Sequence, residues 1–420
     1  MVELLVGVTI GLIGCVIIFQ VLSVNEGYKR STTGGADAQV AGALGLYALE
    51  RDIKMAGYGI NDRSTVGCNM VGYTSTRSPT NYNLTLVPVQ IHAGATAAAS
   101  DTISVNTGNP LDFAPGYGLS AANLTPGANF RMENRGGVRK WDFLVAANPT
   151  QANCTLLNAV NLPLDAGAGT ACGGSNTSDA VEVCSATPKT DADGTARSYN
   201  QSGGVTGAPT YTLSTGAANT RFFNLGAEPT FNVYRVIAST LSVCNMRTAD
   251  CSCPAGACTA ANWAPVIENV VYMKAQYGMD TNDDGIVDTF DSRICRDTDT
   301  PYTAAAGDNF GNSFATNSDS DNNGLNDTWS PGAPSTYDWS RVMAIRVALV
   351  VRSAQFEKTN VSPTTFTLWP DATANSGCNN TAALTGAPNP GPVWTVPDRQ
   401  YRYRIFETII PLRNSIWMPG

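Results

Sequence analysis

Residues 4–24, LLVGVTIGLIGCVIIFQVLSV, form a near-continuous apolar run with a single carboxylate, Glu3, at its head. About 20 residues of helix cover the roughly 30 Å hydrocarbon core of a bilayer, so the run is long enough to cross one. A secretory signal would carry basic residues before its apolar stretch and small residues at a cleavage site behind it. Here Lys29 and Arg30 come after the run and no A-x-A site appears, which reads as a retained anchor. An ionisable group inside such a segment costs on the order of 2.5–3.5 kcal/mol and usually has a partner or a function. Glu3 therefore has two readings. It lies in the headgroup region, or it pairs with an amino terminus, its own or a neighbour's, when helices leave lipid and pack together. The amphipathic stretch beyond Val24 favours the second.

That stretch continues the helical pattern without an obvious stop. NEGYKRSTTGGADAQVAGALGLYALERDIKMAGYG (25–59) places Val40, Ala43, Leu44, Tyr47, Ala48, Ile53 and Met55 near helical spacing. Glu50 and Lys54 form an i, i+4 pair in the favourable order. Gly57 and Gly59 are candidate terminators. A continuous helix from residue 2 to about 57 would be about 80 Å long at 1.5 Å per residue. The stretch STTGG (31–35) is poor in helix formers and predicts a kink or a melted turn.

The helix headed VELLVG and ending ALERDIKMAGYG resembles the N-terminus of type IV pilins, and its last ten residues resemble the PilW branch of large minor pilins. Three later blocks are similar to that branch in order and type: NVVYMKAQYGMDTNDDGIVD (269–288), RVMAIRVALVVRS (341–353) and YRYRIFETIIPLRN (401–414). The resemblance implies an α+β type IV pilin fold, a long N-terminal α-helix packed on an antiparallel β-sheet with large loop insertions. It implies that Glu3 is the family's assembly glutamate, although that residue comes fifth after the processing site in the family and third here. The mature chain would then begin two residues earlier, or processing differs. Gly7 and Gly11 form one G-x-x-x-G that lets helices approach closely.

Composition agrees with an exported protein. Charged residues make up only 14% of the 420, and the net charge of −8 argues against a nucleic-acid surface. Arg399, Arg402, Arg404 and Arg413 leave a local basic patch near the end, though Arg402 and Arg404 also fit the solvent face of an alternating strand. Of the 11 cysteines, Cys15 lies in the apolar run. Cys68, Cys154, Cys172, Cys184, Cys244, Cys251, Cys253, Cys258, Cys295 and Cys378 make an even set, which suggests up to five disulfides with open connectivity. The cluster Cys244, Cys251, Cys253, Cys258 could instead supply four thiolates to zinc, but its inner pair lacks the usual C-x-x-C spacing.

Two acidic loops have calcium-type spacing. Asp280, Asn282, Asp284, the carbonyl of Ile286, Asp288 and Asp291 fit the D-x-[DN]-x-[DN]-G pattern, with Gly285 sixth and Asp291 twelfth. Alternate side chains turn oxygens inward, glycine permits the tight turn, and hard oxygen ligands favour calcium. Asp319, Asp321, Asn323, Leu325 and Asp327 repeat the spacing in the compact form of extracellular calcium modules. Neither loop is flanked by two good helices, so both read as structural staples.

The expected organisation is an N-terminal helix over 1–57 (membrane or filament-core half 2–25, amphipathic half 26–57), a loop-rich β region over 58–260, and a C-terminal sheet region over 261–420. Strand candidates in the middle region are TISV (102–105), AVEVC (180–184) and FNVYRVIASTLSVC (231–244). RVMAIRVALVV reads as a central strand covered by the helix, and YRYRIFETIIP as a half-buried one. Catalysis is not expected: His92 is the one histidine, and no nucleophile elbow, H-E-x-x-H, phosphate loop or C-x-x-C-H occurs. The expected function is a pilus subunit held first in the inner membrane, then packed in an extracellular filament. Its partners would be copies of itself or other pilins, the inner-membrane assembly platform and the prepilin peptidase. A type II secretion pseudopilin and a membrane-anchored, calcium-stabilised adhesin are the alternatives. A short basic leader ending in Gly, encoded just upstream, would favour the pilin.

Overall fold

The computed structural model describes residues 2–60, 66–77, 80–94, 98–111, 117–118, 129–134, 136–147, 153–162, 180–183, 188–200, 221–253, 258–280, 285–287, 289–291, 339, 342–369 and 392–416. A single helix, α1 (Val2–Met55), leads the chain. The first strands after it are β1 (Asn69–Tyr73), β2 (Asn81–Thr85), β3 (Val89–His92), β4 (Thr102–Thr107), β5 (Tyr117–Gly118), β6 (Asn129–Arg131), β7 (Phe143–Ala147) and β8 (Asn153–Asn158). Next in order are β9 (Ala180–Glu182), β10 (Lys189–Thr190), β11 (Ala196–Arg197), β12 (Arg221–Gly226), β13 (Thr230–Ile237) and β14 (Thr240–Asn245). Last come β15 (Ala264–Glu268), β16 (Val270–Met279), β17 (Thr289–Asp291), β18 (Val342–Arg352), β19 (Thr365–Thr367), β20 (Val393–Thr395), β21 (Tyr403–Pro411) and the helical turn α2 (Arg413–Ile416).

Three larger sheets carry the architecture, in orders β2-β1-β8-β7-β12-β5, β15-β14-β13-β4-β3 and β17-β16-β18-β21. Among the described strands pairing is antiparallel except between β1 and β8. This is an α+β arrangement of one long helix and several antiparallel sheets. β18 is central, as its second half, apolar on both faces, predicts. Val347, Leu349 and Val351 face the core under α1, while Ala348 and Val350 face an aromatic layer of Tyr272, Trp369, Trp394 and Tyr403. The five-stranded sheet is shared between two cores. Val105, Tyr234 and Leu241 pack toward α1, and Phe231, Val233 and Cys244 pack toward the six-stranded sheet. The segment 231–244, expected as one strand, is a hairpin of β13 and β14. Ala238 and Ser239 take φ of +47° and +62°, the paired left-handed residues of a tight two-residue turn.

α1 departs from expectation twice. It runs through 31–35 as unbroken helix. Each glycine costs about 1 kcal/mol of helix propensity, but Gly34 already lies on the sheet, where an added Cβ would meet Ser353 Cβ at 3.2 Å. The Thr32 hydroxyl donates to the Tyr28 carbonyl at 2.9 Å. Docking thus begins inside the weak stretch and holds it helical. The second departure is the face that docks. Val40, Leu44, Tyr47 and Met55 are 59%, 50%, 63% and 47% exposed. The buried stripe is Gly34, Ala38, Gly42, Gly45, Leu49, Ile53 and Ala56. Small residues bring the helix backbone close to the sheet, so Phe406 and Leu349 fill the space a larger side chain would take.

Gly42→Ala should therefore destabilise. Its Cβ would collide with the Phe406 ring, an overpacking of about 1–3 kcal/mol that exceeds the roughly 1 kcal/mol gained in helix propensity. The matched control is Gly35→Ala, where nothing lies within 4 Å. Thermal melts should show a lower midpoint for the first and an equal or higher one for the second. Equal midpoints would show that Phe406 moves aside freely.

Candidate functional site

The N-terminal half of α1 leaves the folded body altogether. Residues 2–29 are exposed apart from half-buried Gly14, and the helix is long and apolar enough to cross a membrane by length and composition. Glu3 lies in its first turn. Gly7 and Gly11 have nothing within 4 Å of a built Cβ, so the G-x-x-x-G face is open. The hydroxyl of Thr9 donates to the carbonyls of Leu5 (3.1 Å) and Val6 (2.9 Å), which satisfies the polar group inside the helix. Cys15 is a free, exposed thiol.

The C-terminal half is seated by polar contacts that the hydrophobic pattern does not reveal. Asp52 is 7% exposed; its Oδ2 accepts from the Tyr234 hydroxyl at 2.5 Å and from Asn232 Nδ2 at 3.0 Å, both on β13. Burial, and then the bond to Asp52, push the Tyr234 phenol well above its ordinary range. Arg51 reaches Asp52 at 3.2 Å, and Lys54 reaches Glu50 at 2.5 Å as the spacing predicts. Gly57 and Gly59 terminate the helix at φ +79° and +87°. The Gly57 amide donates to Asn106 O at 2.8 Å, and Asn414 Nδ2 donates to the carbonyls of Met55 (3.2 Å) and Ala56 (2.9 Å). The helix end is thus held by strand β4 and by the last described segment of the chain.

The first acidic loop connects β16 to β17. Their pairing of Tyr277 with Asp291 and Met279 with Thr289 closes the loop at its base. Asp280, at the first position, is 5% exposed, and its Oδ2 accepts the Gly285 amide at 2.7 Å, with Gly285 at φ +84°. Ile286 is exposed and Asp291 ends β17. Asn282, Asp284 and Asp288 lie outside the described residues, as does the whole second loop with Asp319, Asp321, Asn323, Leu325 and Asp327. Among the described residues, no group of three or more His, Cys, Asp or Glu is gathered for a metal.

Among the described residues three disulfides are in place: Cys68–Cys154, Cys244–Cys251 and Cys253–Cys258. The zinc alternative for the four clustered cysteines is thereby corrected, because their sulfurs are spent on each other in adjacent pairs. Cys172, Cys184, Cys295 and Cys378 lie outside the described residues. His92 ends β3, its Nε2 is 3.2 Å from Ser104 Oγ, and burial depresses its imidazole to about 3. The four arginines do not form one patch. Arg399, Arg402 and Arg404 lie at the start of β21, while Arg413 lies beyond its far end, about 30 Å away at the rise of a strand.

Residues 233–414, from within β13 to within α2, match a family model described as Type IV Pilus-assembly protein W. Over this span the chain is PilW-like. No curated protein and no solved structure matched it. The three C-terminal blocks quoted from the sequence all fall inside the match, which ends at Asn414, the residue that caps α1. The match suggests a type IV pilus-related role, and the apolar N-terminal helix is compatible with one.

Proposed function

We propose that this chain is a filament subunit of a type IV pilus-like fibre, a minor pilin in the PilW sense, with a pilin-type fold. The observation that carries the reading is the division of α1. One half is bare and apolar, and the other is set into a sheet by a stripe of glycine and alanine. A helix that served only as a lipid tether would need no such seat; a helix that becomes the rigid stem of a packed subunit does. In this reading the bare half sits in the inner membrane until assembly and then packs among neighbouring helices. Glu3 pairs with an amino terminus there, since an unpaired carboxylate in an apolar bundle is costly.

Glu3→Ala should keep the chain in the membrane fraction at normal level and cut its recovery in sheared surface filaments. A hydrogen bond to a charged group is worth about 1.5–3 kcal/mol, so the loss should be at least about tenfold. Mass spectrometry of sheared and membrane fractions reads both quantities. Normal recovery of the variant, or absence of the native chain from filaments, would overturn the assignment.

Calcium in the β16–β17 loop belongs to the same proposal. What supports it is the inward Asp280 carboxylate folded onto the Gly285 amide at the sixth position, with the loop ends joined by a ladder. Bound there, the ion would join Asp280, Asn282, Asp284, Ile286 O, Asp288 and Asp291 into one rigid hairpin tip. At a hundredfold excess over Kd, calcium should stabilise by about 2.7 kcal/mol. Chelation should therefore lower the melting midpoint of the native chain and move that of Asp280→Ala less. A native midpoint indifferent to chelator would remove the ion from the account.

A further inference from the structure

We propose that the end of the C-terminal sheet nearest the exposed half of α1 is a docking face for acidic lipid headgroups, engaged while residues 4–24 sit in the bilayer. The inference rests on the membrane-resident stage of the function proposed above.

The register of α1 on the sheet fixes which end this is. β21 runs alongside the helix in the same direction. Gly34 lies against Ser353, whose amide donates to Arg402 O at 2.7 Å. Gly42 lies against Phe406, and Asn414 caps Met55 and Ala56. The chain before Tyr403 therefore faces the bare half of the helix. Beyond Ser353 the two strands stay joined, Glu357 N to Gln400 O at 2.8 Å and Val361 N to Arg399 O at 2.9 Å. This base carries Lys29, Arg352, Lys358, Arg399, Arg402 and Arg404 against Glu26, Asp37, Glu357 and Asp398, in a chain whose totals are 26 basic and 34 acidic residues.

Glu26, Glu357 and Asp398 are already engaged. Glu357 is held by Arg402 at 3.1 Å, and Asp398 accepts the Gln400 amide at 3.0 Å. Lys358 and Arg404 are exposed, and neither side chain has a hydrogen-bond or ion-pair partner among the described residues. Aromatic side chains sit among the charges: Phe356 is 49% exposed and packs edge-on to Tyr401 at 5.5 Å, and Arg352 lies over the Tyr401 ring at 4.6 Å. Amphipathic rings beside basic residues are the side chains found at headgroup depth.

The spacing suits a membrane. From Val24, the end of the apolar run, to Gly34 is ten residues of helix, or about 15 Å. The headgroup layer occupies roughly 5–8 Å of that. The segments 354–362 and 398–402, projecting past Gly34, close the remainder to within about one Debye length. Each Lys or Arg held there contributes roughly a fivefold preference for an anionic surface.

The test is hydrogen–deuterium exchange on the full chain reconstituted in nanodiscs of phosphatidylcholine alone or with 30% phosphatidylglycerol. Backbone amides in 354–360 should exchange at least about fivefold more slowly in the acidic discs, and 0.5 M salt should abolish the difference. Lys358→Gln/Arg404→Gln, both changes at exposed side chains, should abolish it as well. Equal exchange in both lipids, or protection that survives salt, would overturn the proposal. Slowing that tracks protein concentration per disc rather than lipid charge would also overturn it and assign the face to a protein partner. Exposure of residues 4–24 in both discs would overturn the membrane stage itself, which separates that failure from failure of the headgroup contact alone.

Discussion

Lys274→Met should lower the stability of the detergent-solubilised chain by about 3–5 kcal/mol at pH 7, because it strands a buried carboxylate. Lys274 on β16 donates to Asp101 Oδ1 at 2.6 Å, and the two side chains are 10% and 2% exposed. Asp101 also accepts the Gly94 amide at 2.9 Å and the Ala275 amide at 3.0 Å, and its own amide donates to Met273 O at 2.9 Å. One carboxylate thus fastens the start of β4 to the middle of β16, joining the two sheets that enclose α1.

The pH dependence carries a definite sign. Burial raises the Asp101 carboxyl above the usual range, and Lys274, by its charge and its hydrogen bond, opposes that rise. Without Lys274 the rise is larger. An acid whose folded pKa lies above its unfolded value loses stability as pH climbs from the unfolded value, about 3.9, toward the folded one. The deficit of the variant should be small near pH 4 and larger at pH 7. Urea midpoints at the two pH values measure it. Asp101→Asn/Lys274→Met should recover part of the loss, since it removes the buried charge while the amide oxygen can still accept one of the Gly94 and Ala275 N–H groups. A deficit equal at both pH values would mean that Asp101 is not the group left unpaired.

Sequence pattern revealed the helix, its stop at the glycine pair, the central strand and the half-buried C-terminal strand, because each depends on local chemistry over a few residues. It misassigned the docking face of α1, for a physical reason. Periodicity weights large apolar side chains, and here Val40, Leu44 and Tyr47 are exposed while Gly34, Gly42 and Gly45 make the close approach. Asp52 was the available clue. A carboxylate in phase with Leu49, Ile53 and Ala56 needs a polar partner, and Tyr234 and Asn232 supply one from 180 residues away. The same limit hid the ion cluster in which Asp191 receives Lys189 at 3.1 Å, Arg197 at 2.8 Å and Arg247 at 3.1 Å. Lys189, Asp191 and Arg197 are near neighbours in sequence, but Arg247 comes from 56 residues beyond Asp191 and joins them only in the fold. Of the calcium-type loop, spacing identified the ladder-closed turn of Asp280 and Gly285. The oxygen set as a whole depends on residues beyond those described.

Cys68→Ala/Cys154→Ala should be the most destabilising deletion among the three described disulfides. The bond spans 86 residues and joins the lead-in to β1 with β8. Closing a loop of that length removes about 4–5 kcal/mol of unfolded-state entropy, against roughly 2 kcal/mol for the bonds of separation 7 and 5 at Cys244–Cys251 and Cys253–Cys258. Topology reinforces the ranking. β1 and β8 are the parallel pair, with Met70 opposite Cys154, and a parallel pair has no tight hairpin to set its register. Cys244–Cys251, by contrast, closes a short excursion after a strand already paired on both sides. Denaturant titration of the double variant should show a fall of about 4 kcal/mol and a steeper m-value, because the uncrosslinked denatured chain exposes more surface. A smaller loss than that of Cys244→Ala/Cys251→Ala would show that the β1–β8 junction is held by its packing around Met70, Phe143 and Leu156 and that the covalent tie is redundant.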